Sequence, residues 1–84
     1  MEYVVYIVRC VDDTLYTGIA KDVAKRIYTH NHSVVGAKYT KSRRPVELVY
    51  QEQVPDKSTA LKREYEIKSL PREQKHKLIA SQTS

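Results

Sequence analysis

Five residues in this chain carry the functional groups from which a phosphodiester-cleaving site could be built. They supply two phenols, a guanidinium, an imidazole and a carboxylate, at Tyr6, Tyr16, Arg26, His30 and Glu64. Hydrolysis of a phosphodiester needs groups that move protons and groups that stabilise charge on the phosphate, and this set contains both kinds. Each residue alone is ordinary, so the secondary structure has to bring them together.

The two tyrosines lie in apolar segments that are predicted to form a β-hairpin. Residues 3–8 are almost all β-branched or aromatic, which is typical of a strand buried on both faces. Residues 11–14 contain two aspartates and favour a turn, and residues 15–19 form the second strand. Gly18 inside this strand indicates a bulge or the close approach of another group to its backbone.

The register of this hairpin decides whether the two phenols can share a site. A strict two-residue loop would pair Tyr6 with Ile19 and put the phenols on opposite faces of the sheet. A loop one residue longer, or a bulge, would pair Val8 with Tyr16 and place both phenols on one face as diagonal neighbours. We predict the second register, because only that register builds a shared site.

A first helix is predicted to follow the hairpin and to carry the guanidinium and the imidazole. Asp22 is a suitable N-cap for a helix that runs to about Asn31. Arg26 and His30 are four residues apart, so they lie on one face of this helix, beside its apolar stripe.

A third strand and two further helices are predicted in the second half of the chain. Apolar and polar residues alternate over 46–52, which indicates a strand with Val46, Leu48 and Tyr50 on its drier face. A short last helix is predicted over residues 72–79, where a proline precedes the first turn.

The helix between them places a carboxylate among apolar residues. Asp56 or Ser58 is its N-cap, and Glu64 lies four residues after Ala60, within the apolar stripe. An inward carboxylate is costly unless it is paired or bound to a metal. Two interpretations therefore stay open for Glu64, a divalent-ion ligand or the partner of Lys68 in an ordinary ion pair one helical turn away.

The basic residues of the chain are concentrated in one segment. The formal net charge is +5, and residues 36–45 contribute four cations and no acid. A local excess of this kind favours a polyanionic partner, nucleic acid above all, and a solvated basic loop is the alternative. The predicted nucleic-acid-binding residues are Lys38, Tyr39, Lys41, Arg43 and Arg44.

Length and composition bound the fold and its compartment. Eighty-four residues are enough for one domain, which we place at residues 1–80, with 81–84 as a frayed C-terminal tail. Cys10 is the only cysteine, so we expect no disulfide and a reducing, cytoplasmic location. The N-terminal apolar run is interrupted by Arg9 and is too short to span a membrane.

Taken together, these residues resemble a known family, the GIY-YIG nuclease domain, and within it the short single-domain bacterial branch. Val4-Val5-Tyr6 and Tyr16-Thr17-Gly18 stand where the two triplets of that family stand. Arg26, His30 and Glu64 follow in the family's order. The resemblance covers almost the whole chain and implies an α+β fold, in which a small three-stranded antiparallel sheet is flanked by helices in the order ββαβαα.

The resemblance also implies metal-dependent hydrolysis of DNA by the five residues. Tyr6 is then the general base that activates water, and Tyr16 positions the water or the phosphate. Arg26 contacts the scissile phosphate, and His30 orients or relays protons among the phenols. Glu64 is the one carboxylate that holds a divalent ion, Mg²⁺ or Mn²⁺.

Three functions remain open from the sequence. We favour an endonuclease with structure-directed or weak sequence specificity, acting on DNA rather than RNA, in repair or recombination. The first alternative is a non-catalytic nucleic-acid-binding module that keeps the nuclease fold. The second is an interaction protein, and in each case a protein partner or a dimer could supply the specificity that so small a chain lacks.

Overall fold

The chain folds into a three-stranded antiparallel sheet with helices packed on it, which confirms the predicted α+β class and the order ββαβαα. The computed structural model describes residues 2–32 and 45–83, without the side chains of His30 and Thr83. Within these residues the strands are β1 (Tyr3–Arg9), β2 (Leu15–Ala20) and β3 (Glu47–Val54), and the helices are α1 (Val23–His32), α2 (Lys57–Ser69) and α3 (Arg72–Thr83).

β1 is the central strand, and the other two strands flank it in the order β2-β1-β3. Residues 4–8 of this strand are buried because helices cover both faces of the sheet. The even-numbered residues of β1 pack with Val23 of α1. The odd-numbered residues pack with Ala60 and Ile67 of α2, so the alternation along one strand divides the core into two layers.

Five residues connect β1 to β2, and the outer two, Cys10 and Thr14, still pair, so the loop itself is the three residues 11–13. The backbone N–H of Cys10 donates to the carbonyl of Thr14 (2.8 Å), and the Cys10 carbonyl accepts from the N–H of Asp13 (2.9 Å). Asp13 closes the loop in the left-handed conformation (φ 70°), which aspartate tolerates better than most residues. Local turn chemistry therefore sets a loop one residue longer than the strict two-residue turn.

This loop length fixes the register of the hairpin. Tyr6 pairs with Gly18, and Val8 pairs with Tyr16. Two residues separate the partners along each strand, so both tyrosines lie on the same face of the sheet. The predicted register is confirmed.

β3 carries an irregularity that its sequence pattern does not reveal. The pairing of β1 with β3 shifts between Ile7 and Val8, which lie opposite Tyr50 and Leu48. Val49 is the extra residue of a β-bulge, and the alternation of faces reverses there. Leu48 packs on the α1 side and Tyr50 on the α2 side, so the prediction of a single drier face for both is wrong.

Aspartates cap the first two helices, Asp22 as predicted and Asp56 as one of the two predicted alternatives. Asp22 Oδ1 accepts a hydrogen bond from the N–H of Lys25 (3.1 Å), and Asp56 Oδ1 accepts one from the N–H of Thr59 (2.8 Å). These contacts satisfy backbone donors that the first turn of a helix leaves unpaired. Among residues 2–32 and 45–83, no helix has the length and apolarity to cross a membrane.

α3 is four residues longer than the predicted last helix and includes residues 81–83, which we expected in a frayed tail. The side chain of Gln82 accepts a hydrogen bond from the backbone N–H of Gln51 (2.9 Å) and donates one to its carbonyl. β3 is an edge strand, so this amide satisfies backbone groups that would otherwise face solvent.

Candidate active site

Tyr6 lies at the centre of the candidate site because β1 is the central strand. Its side chain is almost fully buried, with 1% of the residue exposed, on the face that α1 covers. Tyr16 is partly buried on the same face of the neighbouring strand, two residues before the Gly18 that pairs with Tyr6. The hairpin thus brings two phenols to one site.

Gly18 lets the Tyr6 ring lie directly on the backbone of β2. A Cβ atom at this position would lie 2.6 Å from the Tyr6 hydroxyl oxygen and 2.8 Å from Cζ. Both distances are shorter than van der Waals contact, so no larger residue fits while the ring stays where it is. The close approach predicted for this glycine is confirmed, and the approaching group is the candidate general base itself.

Tyr16, Arg26 and Glu64 all lie within electrostatic range of the Tyr6 phenol. Burial, above all, raises the pKa of Tyr6 to about 12. The Tyr16 phenol and the Glu64 carboxylate add to this rise, and the Arg26 guanidinium opposes it. Tyr6 is therefore a neutral phenol at pH 7, and it becomes a base only where further positive charge stabilises its phenolate.

Arg26 is held in place by a helix that is fixed at both ends. Asp22 caps the start of α1, and the Asn31 amide near its end donates to the carbonyl of Val46 (3.2 Å) and accepts from its N–H (2.7 Å). These two bonds tie α1 to the residue before β3. The sequence does not indicate this role for Asn31, whose only signal is its place directly after His30.

Glu64 lies on the face of α2 that faces the core, although its carboxylate reaches solvent. Ala60 and Ile67 on this face are fully buried, and the Glu64 side chain is 21% exposed. Its Oε2 lies 3.6 Å from the Nζ of Lys68, whose side chain is 53% exposed. This distance is longer than a hydrogen bond, so Glu64 is paired only loosely.

The groups around Tyr6 fit a divalent cation that is held in part by substrate. Mg²⁺ binds many proteins through one or two carboxylates together with phosphate oxygens and water. Glu64 supplies one carboxylate within electrostatic range of Tyr6. No group of three or more His, Cys, Asp or Glu side chains in the described residues could hold a metal ion alone. A single carboxylate suits a cation whose remaining ligands are phosphate oxygens and water.

Two parts of the predicted site lie outside the described residues. The backbone of His30 belongs to α1, and its side chain is among those not described. The predicted nucleic-acid-binding residues all fall within residues 33–44, and this role stays a prediction for Lys38, Tyr39, Lys41, Arg43 and Arg44.

Comparison with known proteins identifies close relatives along nearly the whole chain. Residues 2–77 match the family model of the GIY-YIG catalytic domain. A UPF0213 protein of Staphylococcus saprophyticus is 61% identical over 79 residues, which cover 94% of this chain and 95% of that protein. A UPF0213 protein of Staphylococcus epidermidis is 63% identical over 78 residues, which cover 93% of this chain and 94% of that protein.

A solved structure also matches the fold. The solution NMR structure of a UPF0213 protein from Bacillus halodurans is 44% identical and has a TM-score of 0.61. The match covers 95% of this chain and 84% of that one. Since the family model spans residues 2–77 and the relatives align over almost their full length, this chain belongs to the GIY-YIG catalytic-domain family.

Proposed function

We propose that this protein is a metal-dependent endonuclease-like domain that hydrolyses phosphodiester bonds in DNA with structure-directed or weak sequence specificity. One observation carries the proposal: a second phenol, a guanidinium and a carboxylate all lie within electrostatic range of the buried Tyr6. Membership of the GIY-YIG family, over residues 2–77, supports the same chemistry.

The proposed reaction assigns proton transfer to Tyr6 and phosphate binding to Arg26. Hydrolysis adds water across a P–O bond, so the attacking water loses a proton and the leaving oxygen gains one. Tyr6, in its phenolate form, would accept the proton of the attacking water. Arg26 favours the phenolate because it lowers the pKa of Tyr6. The planar guanidinium also suits a phosphate, because it can donate two parallel hydrogen bonds. Tyr16 would hold the water or the phosphate in line.

Glu64 is the residue that would hold the metal ion. When Mg²⁺ or Mn²⁺ is bound there, it supplies positive charge that neutralises the phosphate and stabilises the departing oxygen. Lys68 already offers Glu64 a cation at 3.6 Å, and its exposed side chain is free to rotate away. The relay role of His30 stays a prediction that rests on family resemblance.

The proposal is tested by incubating labelled single-stranded, double-stranded and branched DNA with Mg²⁺, Mn²⁺ or EDTA. Glu64→Gln and Tyr6→Phe should each reduce the cleavage rate at least about 100-fold, because each removes a group that the transition state requires. The matched controls are Glu52→Gln and Tyr50→Phe, which alter a separate Tyr–Glu–Arg network. Both controls should keep cleavage at a temperature where circular dichroism shows them folded.

Cleavage that survives both site substitutions, or that appears equally in mock preparations, contradicts the catalytic assignment. Loss of cleavage in the two control variants as well would show that the substitutions act through stability rather than through the site.

A non-catalytic nucleic-acid-binding module is the second candidate, and one observation favours it. The pKa of Tyr6, raised to about 12, is far above the value near neutrality that suits a general base. Such a module would bind DNA in a salt-sensitive way through Lys41, Arg43 and Arg44 and would be indifferent to Glu64→Gln. Equal DNA binding by the wild type and Glu64→Gln, with no cleavage in Mg²⁺ or Mn²⁺, would support this second candidate.

A further inference from the structure

A concave surface adjoins the candidate site at the end of β2. It is an open cavity of about 650 Å³ that includes the first turn of α1 and the start of α2. Four of its lining residues are cations, namely Lys21, Lys25, Arg26 and Lys57. Its one acid, Asp22, accepts a hydrogen bond from the backbone of Lys25 and caps α1. The cavity is therefore strongly positive.

Three of these cations have no acidic partner in the described part of the chain. Ion pairs there involve Arg9, Arg63 and Lys68, and none involves Lys25, Arg26 or Lys57. The fourth cation, Lys21, lies over the ring of Tyr3, 5.5 Å from its centroid, a contact that leaves its charge in place.

The two helix lysines lie beside the capping aspartates, at helix starts where the helix dipole favours anions. Lys25 lies in the first turn of α1 and Lys57 in the first turn of α2, and neither turn contains an acid. A cation in this position opposes the positive end of the helix dipole. Cations that line one concavity also repel each other. An arrangement that concentrates positive charge in a cavity favours a polyanionic ligand.

Arg26 links this cavity with the candidate site, because it lines the cavity and also acts on the pKa of Tyr6. A nucleic-acid strand carries a negative charge at each phosphate, so a strand whose reacting phosphate lies at Arg26 has others close by. We propose that the cavity is a subsite for a backbone phosphate next to the scissile one, and that Lys25 and Lys57 hold it. This rests on the proposed function and specifies where the substrate strand continues.

The test measures binding without catalysis. A short fluorescein-labelled DNA duplex is titrated in EDTA, at several salt concentrations, with Lys25→Gln, Lys57→Gln and the double variant. The double variant should lose at least about tenfold in affinity at low salt, and the slope of log K against log salt should fall by about 0.9 for each lost phosphate contact. Lys77→Gln is the matched control, since Lys77 is an exposed lysine of α3, the helix beside the opposite edge strand β3.

Equal binding by the double variant and the Lys77→Gln control would overturn the subsite. A second measurement distinguishes failure of the proposed subsite from failure of the proposed function. In Mg²⁺ the double variant should raise KM with little change in kcat, as expected for residues that position the strand without touching the reacting atoms. If wild-type protein binds but never cleaves, the affinity loss still supports the subsite. If the wild-type protein cleaves DNA and the double variant has unchanged KM and affinity, the subsite is refuted while the proposed nuclease function is supported.

Discussion

Two clusters in this protein combine a tyrosine, a glutamate and a cation, and they differ in how the glutamate is engaged. In the first cluster, Glu52 Oε1 accepts a hydrogen bond from the Tyr50 hydroxyl (3.0 Å) and another from Arg63 Nε (2.7 Å). This network joins β3 to α2. A charge-assisted bond of this length is among the stronger polar contacts in a protein, so Glu52 is committed to the fold.

In the second cluster, the carboxylate is held much less firmly. Glu64 has Lys68 at 3.6 Å as its ion-pair partner, and that lysine is mostly exposed. Arg26, the other cation near Tyr6, forms no ion pair within residues 2–32 and 45–83. Because both clusters contain the same residue types, residue types alone do not identify a functional site. What distinguishes Glu64 from Glu52 is how firmly the carboxylate is paired.

Tyr6 and Tyr50, the tyrosines of the two clusters, differ in the contacts that raise their pKa. Burial is the main cause that raises the pKa of Tyr50, followed by its hydrogen bond with Glu52, and Arg63 opposes the rise. Burial also dominates at Tyr6, and there Tyr16 follows as the second cause. A bound cation would act directly on Tyr6, whereas Tyr50 already has its arginine in place.

The largest expected effect is a fall in the free energy of unfolding as Tyr6 ionises at high pH. An unfolded tyrosine has a pKa of 10.0, and folding raises that of Tyr6 to about 12, so the folded state keeps this proton to higher pH. The contribution is complete below pH 10 and is lost as the pH rises to 12. Two pH units at about 1.4 kcal/mol each make it about 3 kcal/mol.

Urea unfolding between pH 8 and pH 12 checks this expectation. The free energy of unfolding of the wild type should fall more steeply above pH 10 than that of Tyr6→Phe, which has no proton to lose. Tyr50→Phe serves as the comparison, because it keeps Tyr6. Parallel curves for wild type and Tyr6→Phe would show that Tyr6 titrates as an ordinary tyrosine.

A smaller effect is expected where Tyr6 touches the backbone. Gly18→Ala should lower the free energy of unfolding by about 2 kcal/mol, because the new Cβ would lie 2.6 Å from the Tyr6 hydroxyl oxygen and force the ring to move. Gly18 has no positive φ, so alanine meets no backbone strain there. Cleavage should fall with stability, since the same ring is the proposed base.

A double-mutant cycle isolates that contact. Tyr6→Ala removes the ring, so Gly18→Ala should cost little in that background and the two substitutions should be strongly non-additive. Chemical denaturation of the four proteins measures the coupling. An equal cost of Gly18→Ala in both backgrounds would mean that the glycine matters for another reason.

Features set by neighbouring residues were predictable from the sequence. The N-caps at Asp22 and Asp56 follow from side chains that bond to backbone N–H groups three residues ahead. The hairpin register follows from the length of a loop that ends at Asp13. The shared face of Tyr6 and Tyr16 depends on the same turn, but the sequence left its length open, and we chose the longer loop because only that register builds a shared site.

Features that depend on distant segments were not predictable from the pattern. The bulge at Val49 arises from its pairing with β1, and the local alternation of polar and apolar residues contains no sign of it. The bond between Asn31 and Val46 joins residues 15 apart. The cavity with Lys25 and Lys57 exists only because two helices begin near one another in space.

The smallest expected effects concern the two carboxylates and test the comparison most directly. Glu52→Gln should lower the free energy of unfolding by about 1 to 2 kcal/mol, because it weakens a charge-assisted bond with Arg63. Glu64→Gln should change it by less than about 0.5 kcal/mol, since its pair with Lys68 is long and the Lys68 side chain is mostly exposed. Urea unfolding at pH 7 without divalent ions measures both. If Glu64→Gln costs more than Glu52→Gln, Glu64 is a structural residue, and its loose pairing does not support a role in metal binding.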